Sequence, residues 1–263
     1  MTSAPPEMSY WTNKVVMITG ASSGIGRGVA LELASRGANI GLLARREDLL
    51  TELVNEIRAC KVKAVSATGD VRDAQAVRAA ADRFRNELGP IDVLIANAGI
   101  GTADHAVQLT PEHAAEVIGI NVLGAVNSVA AVIPEMVARG QGRLVAISSL
   151  AAYRGLPRSA AYCASKAALS AYFESVRIDL RNTGVGVTII HPGFIKTAIT
   201  AGREARMPYL MELDNAVNKI VSAIEKEKKT YAFPWQLATF VRAGLLMPTA
   251  IYDWIAERNS FRE

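Results

Sequence analysis

Tyr162 and Lys166 stand four residues apart in Tyr162-Cys163-Ala164-Ser165-Lys166, a spacing that puts both side chains on one face of a helix. The pair suggests proton transfer. A tyrosine with a pKa near 10 must fall by roughly three units to act as a base near neutrality, which is about 4 kcal/mol. One ammonium at ~5 Å in an effective dielectric of ~20 contributes about 3.3 kcal/mol. Lys166 can therefore supply most of that shift. Ser149, 13 residues before the tyrosine and at the end of an expected strand, can donate a hydrogen bond to a substrate oxygen as charge develops there.

A second constellation lies near the start of the chain. Thr19-Gly20-Ala21-Ser22-Ser23-Gly24-Ile25-Gly26 follows an apolar strand pattern and precedes the helical pattern Arg27 to Arg36. Gly20 permits a tight turn, Gly24 lets the backbone approach a pyrophosphate, and Gly26 allows close packing, while the helix N-terminus offers N–H donors to the anion. The spacing carries one residue more than G-x-G-x-x-G. Gly20, Ser22, Ser23, Gly24, Ile25 and Gly26 are the candidate cofactor-binding residues of this loop. At the end of the second strand, Leu43-Ala44-Arg45-Arg46 holds no carboxylate for an NAD ribose, and its two guanidinium groups suit a 2′-phosphate. NADP(H) is thus favoured over NAD(H). With a nicotinamide beside Ser149, Tyr162 and Lys166, the expected chemistry is hydride transfer.

These groups need a scaffold that brings strand ends together. Lys14 to Thr19, Asn39 to Leu43, Val62 to Ala67, Ile91 to Ala96, Arg143 to Ser148 and Val185 to Ile190 read as strands, with helical patterns between them. Val93-Leu94-Ile95-Ala96 and Leu144-Val145-Ala146-Ile147 are apolar without alternation, as strands covered on both faces require. Six βα units predict a single-domain, Rossmann-like, doubly wound parallel sheet with helices on both faces and its ligand beyond the carboxyl ends of the strands. The expected division is a loose tail over 1–12, a catalytic domain over 13–234 and an apolar helical extension over 235–263.

Composition agrees with one well-filled α/β domain. The chain has 263 residues, 50% hydrophobic and 21% charged, and its net charge of +4 is scattered, which does not suggest nucleic-acid binding. The run Glu225-Lys226-Glu227-Lys228-Lys229 reads as a solvated helix end. Cys60 and Cys163 have no neighbouring ligand pattern, His105 and His113 lie in surface-type segments, and His191 reads as a strand-end residue without a role. No metal site is expected. Two cysteines and no signal-peptide pattern fit a cytoplasmic protein, and the uncharged stretch Val117 to Pro134 reads as a buried helix.

From about Lys14 to Thr197 the sequence resembles the short-chain dehydrogenase/reductase family. Thr19 to Gly26 is similar to its T-G-x-x-x-G-x-G loop, and Asn97-Ala98-Gly99 to its N-A-G turn, with Ala96 where an asparagine is usual. Ser23 stands where NADP-dependent members often carry a basic residue. The resemblance implies that Asp70 and Val71 contact the adenine, and that Asn97, Ala98 and Gly99 border the cofactor. It also makes Asn121 the fourth member of a catalytic tetrad with Ser149, Tyr162 and Lys166, the asparagine supporting a water linked to the lysine. Tyr162 and Lys166 would touch the cofactor as well. Pro192-Gly193-Phe194-Ile195-Lys196-Thr197 resembles the segment that closes over the nicotinamide, with Pro192, Gly193, Ile195 and Thr197 near the cofactor. A homodimer or homotetramer built on helices Pro111 to Arg139 and Ser159 to Asn182 is implied, with Ala130, Ala131, Ala160, Ala164 and Ala168 on their outer faces.

The substrate would meet Ile100, Leu150, Tyr153, Phe194, Met207, Tyr209 and Met211, the last four in a loop over 194–211. That apolar wall favours a hydrophobic carbonyl or secondary alcohol, while Lys196, Arg203 and Arg206 leave room for an anionic tail. From Thr230 to Tyr252 the only charge is Arg242, and Pro234 and Pro248 limit a straight helix to about 13 residues, ~20 Å, too short for a ~30 Å hydrocarbon layer. The extension is expected to cover the substrate site or a subunit partner. The alternative is peripheral membrane contact anchored by Trp235 and Trp254. Two other classes stay open: a catalytically silent NADP-binding regulator, and a lyase or epimerase on the same fold. Cofactor turnover separates them.

Overall fold

A strand packed under helices on both sides buries its side chains, so its residues are mostly apolar. The computed structural model describes residues 9–101, 105–197, 200–201 and 207–258. Its strands are β1 (Val15–Thr19), β2 (Asn39–Ala44), β3 (Ala64–Thr68), β4 (Val93–Ala96), β5 (Gly142–Ile147), β6 (Val185–Pro192) and β7 (Thr230–Phe233). They form one parallel sheet in the order β3-β2-β1-β4-β5-β6-β7. The chain steps from β1 to β2 on one side, and β4 pairs with β1 on the other. A crevice therefore opens beyond the carboxyl ends of β1 and β4.

Period two along the strands divides the core. Val16 and Ile18 pack with Val29 and Leu33 of α1 (Gly24–Ser35), Leu53 of α2 (Glu47–Ala59) and Ile220 of α7 (Leu213–Glu225). Val15 and Met17 face the other layer, with Phe84 of α3 (Ala74–Leu88), Val129 of α5 (Gly124–Arg139) and Phe173 of α6 (Ala160–Asp179). Beyond β7 come α8 (Trp235–Leu245) and α9 (Thr249–Arg258), where Leu237 and Ala238 join Leu150 in a small third cluster.

Several expectations need correction. A seventh strand, β7, lies where the sequence suggested the start of the apolar tail. Four residues are too few to show a period, and their conformation is imposed by pairing with β6, from Ile189↔Thr230 to Pro192↔Phe233. The expected helix Pro111 to Arg139 is three pieces: α4 (Pro111–Ile118), a π-turn (Gly119–Leu123) and α5. By length and apolarity this stretch could cross a membrane, but half of its most apolar window is buried inside the fold. Ala131 is buried in the core rather than on an outer face.

The tail also ends earlier than expected. Trp11 is fully buried, and its indole N–H donates to Glu225 Oε1 at 2.6 Å. Glu225 accepts from Arg36 as well, at 2.8 Å, so the charged run after α7 is only partly a solvated end. Residues 1–8 and 259–263 lie outside the described residues, as do Arg203, Arg206 and part of the 194–211 loop.

Candidate active site

The glycine loop is shaped by backbone demands. Gly20 (φ 66°) and Gly24 (φ 55°) occupy the left-handed region that favours glycine. A Cβ on Gly26 would lie 2.5 Å from both the Gly20 carbonyl oxygen and Asn97 Nδ2. Asn97 takes up that space: its side-chain amide donates to the carbonyls of Thr19 (3.0 Å) and Gly20 (3.1 Å). In return, Thr19 Oγ1 accepts from the N–H groups of Asn97 and Ala98, each at 3.2 Å. The ends of β1 and β4 are thereby bolted together across the crevice. Ser23 precedes α1 without capping it through its side chain, and no acid stands in the first turn, so the helix-end N–H groups suit an anion.

A cavity of about 390 Å³ follows this crevice. Gly20, Ser22, Ser23, Gly24, Ile25, Arg45, Arg46, Asp70, Val71, Asn97, Ala98, Gly99, Tyr162, Lys166 and Thr197 line it. The left-handed glycines, the open helix end and the basic rim fit a dinucleotide. Arg46 Nη2 donates to Ser22 Oγ (2.8 Å) and Ser23 Oγ (2.6 Å), so this guanidinium shapes the loop. Arg45 is exposed beside it. Asp70 is held below the usual carboxylate range, chiefly by its hydrogen bonds from Arg72, and Arg45 adds to the effect.

At the other end of the cavity α6 presents Tyr162 and Lys166. Lys166 is buried, its Nζ donates to the Ile147 carbonyl at 2.9 Å, and it lies 5.9 Å from the centre of the Tyr162 ring. Burial pushes the ammonium down to about 8. Gly99 leaves room for it, since a Cβ there would lie 3.3 Å from Nζ. Ser149 Oγ accepts from the Ala151 N–H at 3.1 Å, which leaves its own proton for another acceptor.

Asn121 is fully buried in the π-turn and lines neither this cavity nor the one described next. Its side chain accepts from the Ile100 N–H (2.8 Å) and donates to the Ile100 carbonyl (3.0 Å) and to Ser165 Oγ (2.9 Å). Ser165 in turn donates to the Tyr162 carbonyl at 2.7 Å. The residue thus joins the loop after β4 to the turn of α6 that carries Tyr162.

A second cavity, about 450 Å³, opens on the far side of Tyr162. Ser149, Leu150, Phe194, Met207 and Tyr209 line it, joined by Thr200 and by Gln236, Leu237, Phe240, Val241 of α8 and Tyr252, Ile255, Ala256 of α9. Of the residues expected at the substrate wall, Ile100 borders the first cavity instead, Met211 packs against the core, and Tyr153 stacks on His191 at 5.0 Å. Gly193 lines the second cavity rather than the first, while Pro192 and Ile195 are buried and line neither. Gly26 acts by packing alone.

His191 has more structure than its sequence context suggested. It is buried, with Nε2 at 3.2 Å from Ser170 Oγ, and Ser170 sits 2.8 Å from Ser148 Oγ. Ser148 and Ser170 both donate to the Lys166 carbonyl. This serine–histidine cluster braces α6 beneath the lysine. Sequence reading missed it, and it missed Ser165 and Thr19 as supports. Ser165 stands inside the Tyr162 to Lys166 motif and Thr19 heads the glycine loop, but neither position says what the side chain holds.

Known proteins give the same picture. The family model described as short chain dehydrogenase matches residues 14–208. A protein of Myxococcus xanthus named "Uncharacterized oxidoreductase" is 43% identical over 252 residues, covering 96% of this chain and 98% of its own. An NAD+-bound xylitol dehydrogenase superposes with a TM-score of 0.78 at 27% identity, over 85% of this chain and 98% of that one. An alcohol dehydrogenase from the archaeon Thermococcus sibiricus, complexed with 5-hydroxy-NADP, gives 0.75 at 26%, over 84% and 94%. With this match across the glycine loop, the crevice and the Tyr162–Lys166 helix, the chain belongs to the short-chain dehydrogenase/reductase family and is an NAD(P)-dependent oxidoreductase.

Proposed function

We propose that this oxidoreductase uses NADP(H) in preference to NAD(H) to interconvert an apolar carbonyl compound and its secondary alcohol. The observation that carries the reading is that two cavities, one basic and glycine-lined, the other largely apolar, share Tyr162 in their walls. The bound cofactor supplies or accepts the hydride. Tyr162 gives a proton to the carbonyl oxygen in reduction and takes it from the alcohol in oxidation. Ser149, already accepting from Ala151, directs its own proton to that oxygen. Lys166 keeps a buried positive charge 5.9 Å from the centre of the Tyr162 ring, which favours the ionised tyrosine. Asn121 positions the turn that carries Tyr162 through Ser165.

Arg45 and Arg46 at the end of β2 support the phosphate-bearing cofactor. The apolar walls from α8 and α9 support a hydrophobic substrate, and they support the extension over 235–263 as the cover of the pocket. The protein works in the cytoplasm as a homodimer or homotetramer, a state supported by exposed Ala130, Ala160, Ala164 and Ala168 on α5 and α6. Trp235, Leu246 and Trp254 are exposed on the outer side of the extension, which supports peripheral membrane contact as a second role.

The test is a panel of ketones, aldehydes and secondary alcohols, followed by the absorbance of NADPH and NADH with wild type and Tyr162→Phe. The variant is expected to lose about 10²-fold or more in turnover while still binding cofactor. Cofactor binding without turnover of any compound would favour the silent regulator. Substrate conversion without net cofactor oxidation or reduction would favour the lyase or epimerase.

A further inference from the structure

Among its described residues α9 buries no side chain completely. Its three half-buried residues, Tyr252, Ile255 and Ala256, are the ones that line the apolar cavity. A helix whose inner face meets a cavity has few dispersion contacts to hold it in place. Polar contacts from one short segment replace them. Arg154, five residues beyond Ser149, donates through Nη1 to the carbonyl oxygens of Gly244 and of Met247, the latter at 3.1 Å. Its guanidinium also lies over the Tyr252 ring, 3.8 Å from the centre, and the Tyr252 hydroxyl donates back to the Gly155 carbonyl. The accepting carbonyls close the C-terminal end of α8, where the helix dipole favours a cation.

We infer that Arg154, with Tyr252, is a positioning pair that sets the α8–α9 wall at a fixed distance from the reacting oxygen and so selects substrates by length. The inference rests on reading the apolar cavity as the substrate pocket. One short segment carries Ser149 at one end and this latch at the other, so the far wall is referenced directly to the group that meets the substrate oxygen. Arg154, Gly244 and Met247 line the same cavity as Ser149, Tyr162 and Phe194, and a short substrate held at the latter three makes the fewest contacts with the latched wall. A long apolar chain that reaches Tyr252 and Ile255 depends on it. Lysine at 154 keeps a charge near the carbonyls but cannot bridge two of them while stacking on the ring.

The experiment compares wild type, Arg154→Ala, Arg154→Lys and Tyr252→Phe on straight-chain methyl ketones of four to twelve carbons with NADPH. Alongside, tryptophan fluorescence titrations with the matching alcohols read affinity without turnover. For Arg154→Ala the ratio of twelve-carbon to four-carbon specificity should fall about tenfold, through KM rather than kcat, with the same trend in the titrations. Arg154→Lys should recover part of the ratio, and Tyr252→Phe, which keeps the stacked ring, should lose less. Equal losses at every length, or a loss confined to carboxylate-bearing substrates, overturns the latch. Wild type that reduces no ketone overturns the reading of the active site instead, and the titrations then decide the latch on binding alone.

Discussion

The crevice over β1 and β4 and the wall made by α8 and α9 meet at Tyr162, yet different contacts hold them. In the crevice the backbone itself is committed: left-handed Gly20 and Gly24, the space reserved at Gly26, and Asn97 bonded to two main-chain carbonyls. In the wall the helices carry ordinary backbone, and side chains seat them: Arg154 on the end of α8, Tyr252 on Gly155, Leu237 and Ala238 on Leu150. Contacts that fix a backbone leave little freedom in residue type. Contacts made by side chains across a cavity leave much more, and under the proposed function this suits a rigid cofactor site beside an adaptable substrate site.

The same substitution placed in each region should sharpen this contrast most. Gly26→Ala forces a methyl group against a carbonyl oxygen and should cost about 3 kcal/mol of fold stability. Gly244→Ala meets the Tyr252 ring at 3.8 Å, an ordinary contact, and should add about 0.5–1 kcal/mol of helix stability. Thermal unfolding of the two variants reads both effects. If Gly244→Ala were as damaging as Gly26→Ala, the division between backbone-held and side-chain-held regions would fail.

Next in size is cofactor choice, which belongs wholly to the crevice. Arg45→Ala should weaken NADPH binding by about 1.5–3 kcal/mol and change NADH binding little, the range for a charged hydrogen bond. Paired titrations give the ratio. Equal losses for the two cofactors would remove Arg45 from the phosphate site.

A smaller effect sits where the regions join. Burial, with the charges of Arg242 and Lys166, lowers His191 from 6.5 to about 4. Between those values the unfolded chain binds the proton and the folded chain does not, so stability falls as pH drops from 6.5 towards 4. At pH 5 the loss is on the order of 2 kcal/mol. His191→Gln should show a flatter stability profile over that window in denaturant unfolding. An unchanged slope would mean that other groups dominate acid unfolding.

The sequence by itself determined the parallel sheet, the glycine loop, and the face of α6 that carries Tyr162 and Lys166. Each is written locally, as uninterrupted apolar runs, left-handed glycine positions or a four-residue helical spacing. Departures arose where partners are distant in sequence. β7 became a strand only because β6 offered an edge, and the helix around Asn121 opened into a π-turn where that side chain grips Ile100, 21 residues away. Trp11 left the expected tail because Glu225, 214 residues on, takes its indole N–H. The wall of the apolar cavity is the extreme case. Arg154 and Gly244 are 90 residues apart, neither belongs to a recognisable motif, and only the folded chain brings a cation to the end of that helix. Local periodicity encodes an element, whereas side-chain pairing across long separations depends on the assembled shape, and in this protein that pairing shapes the apolar cavity.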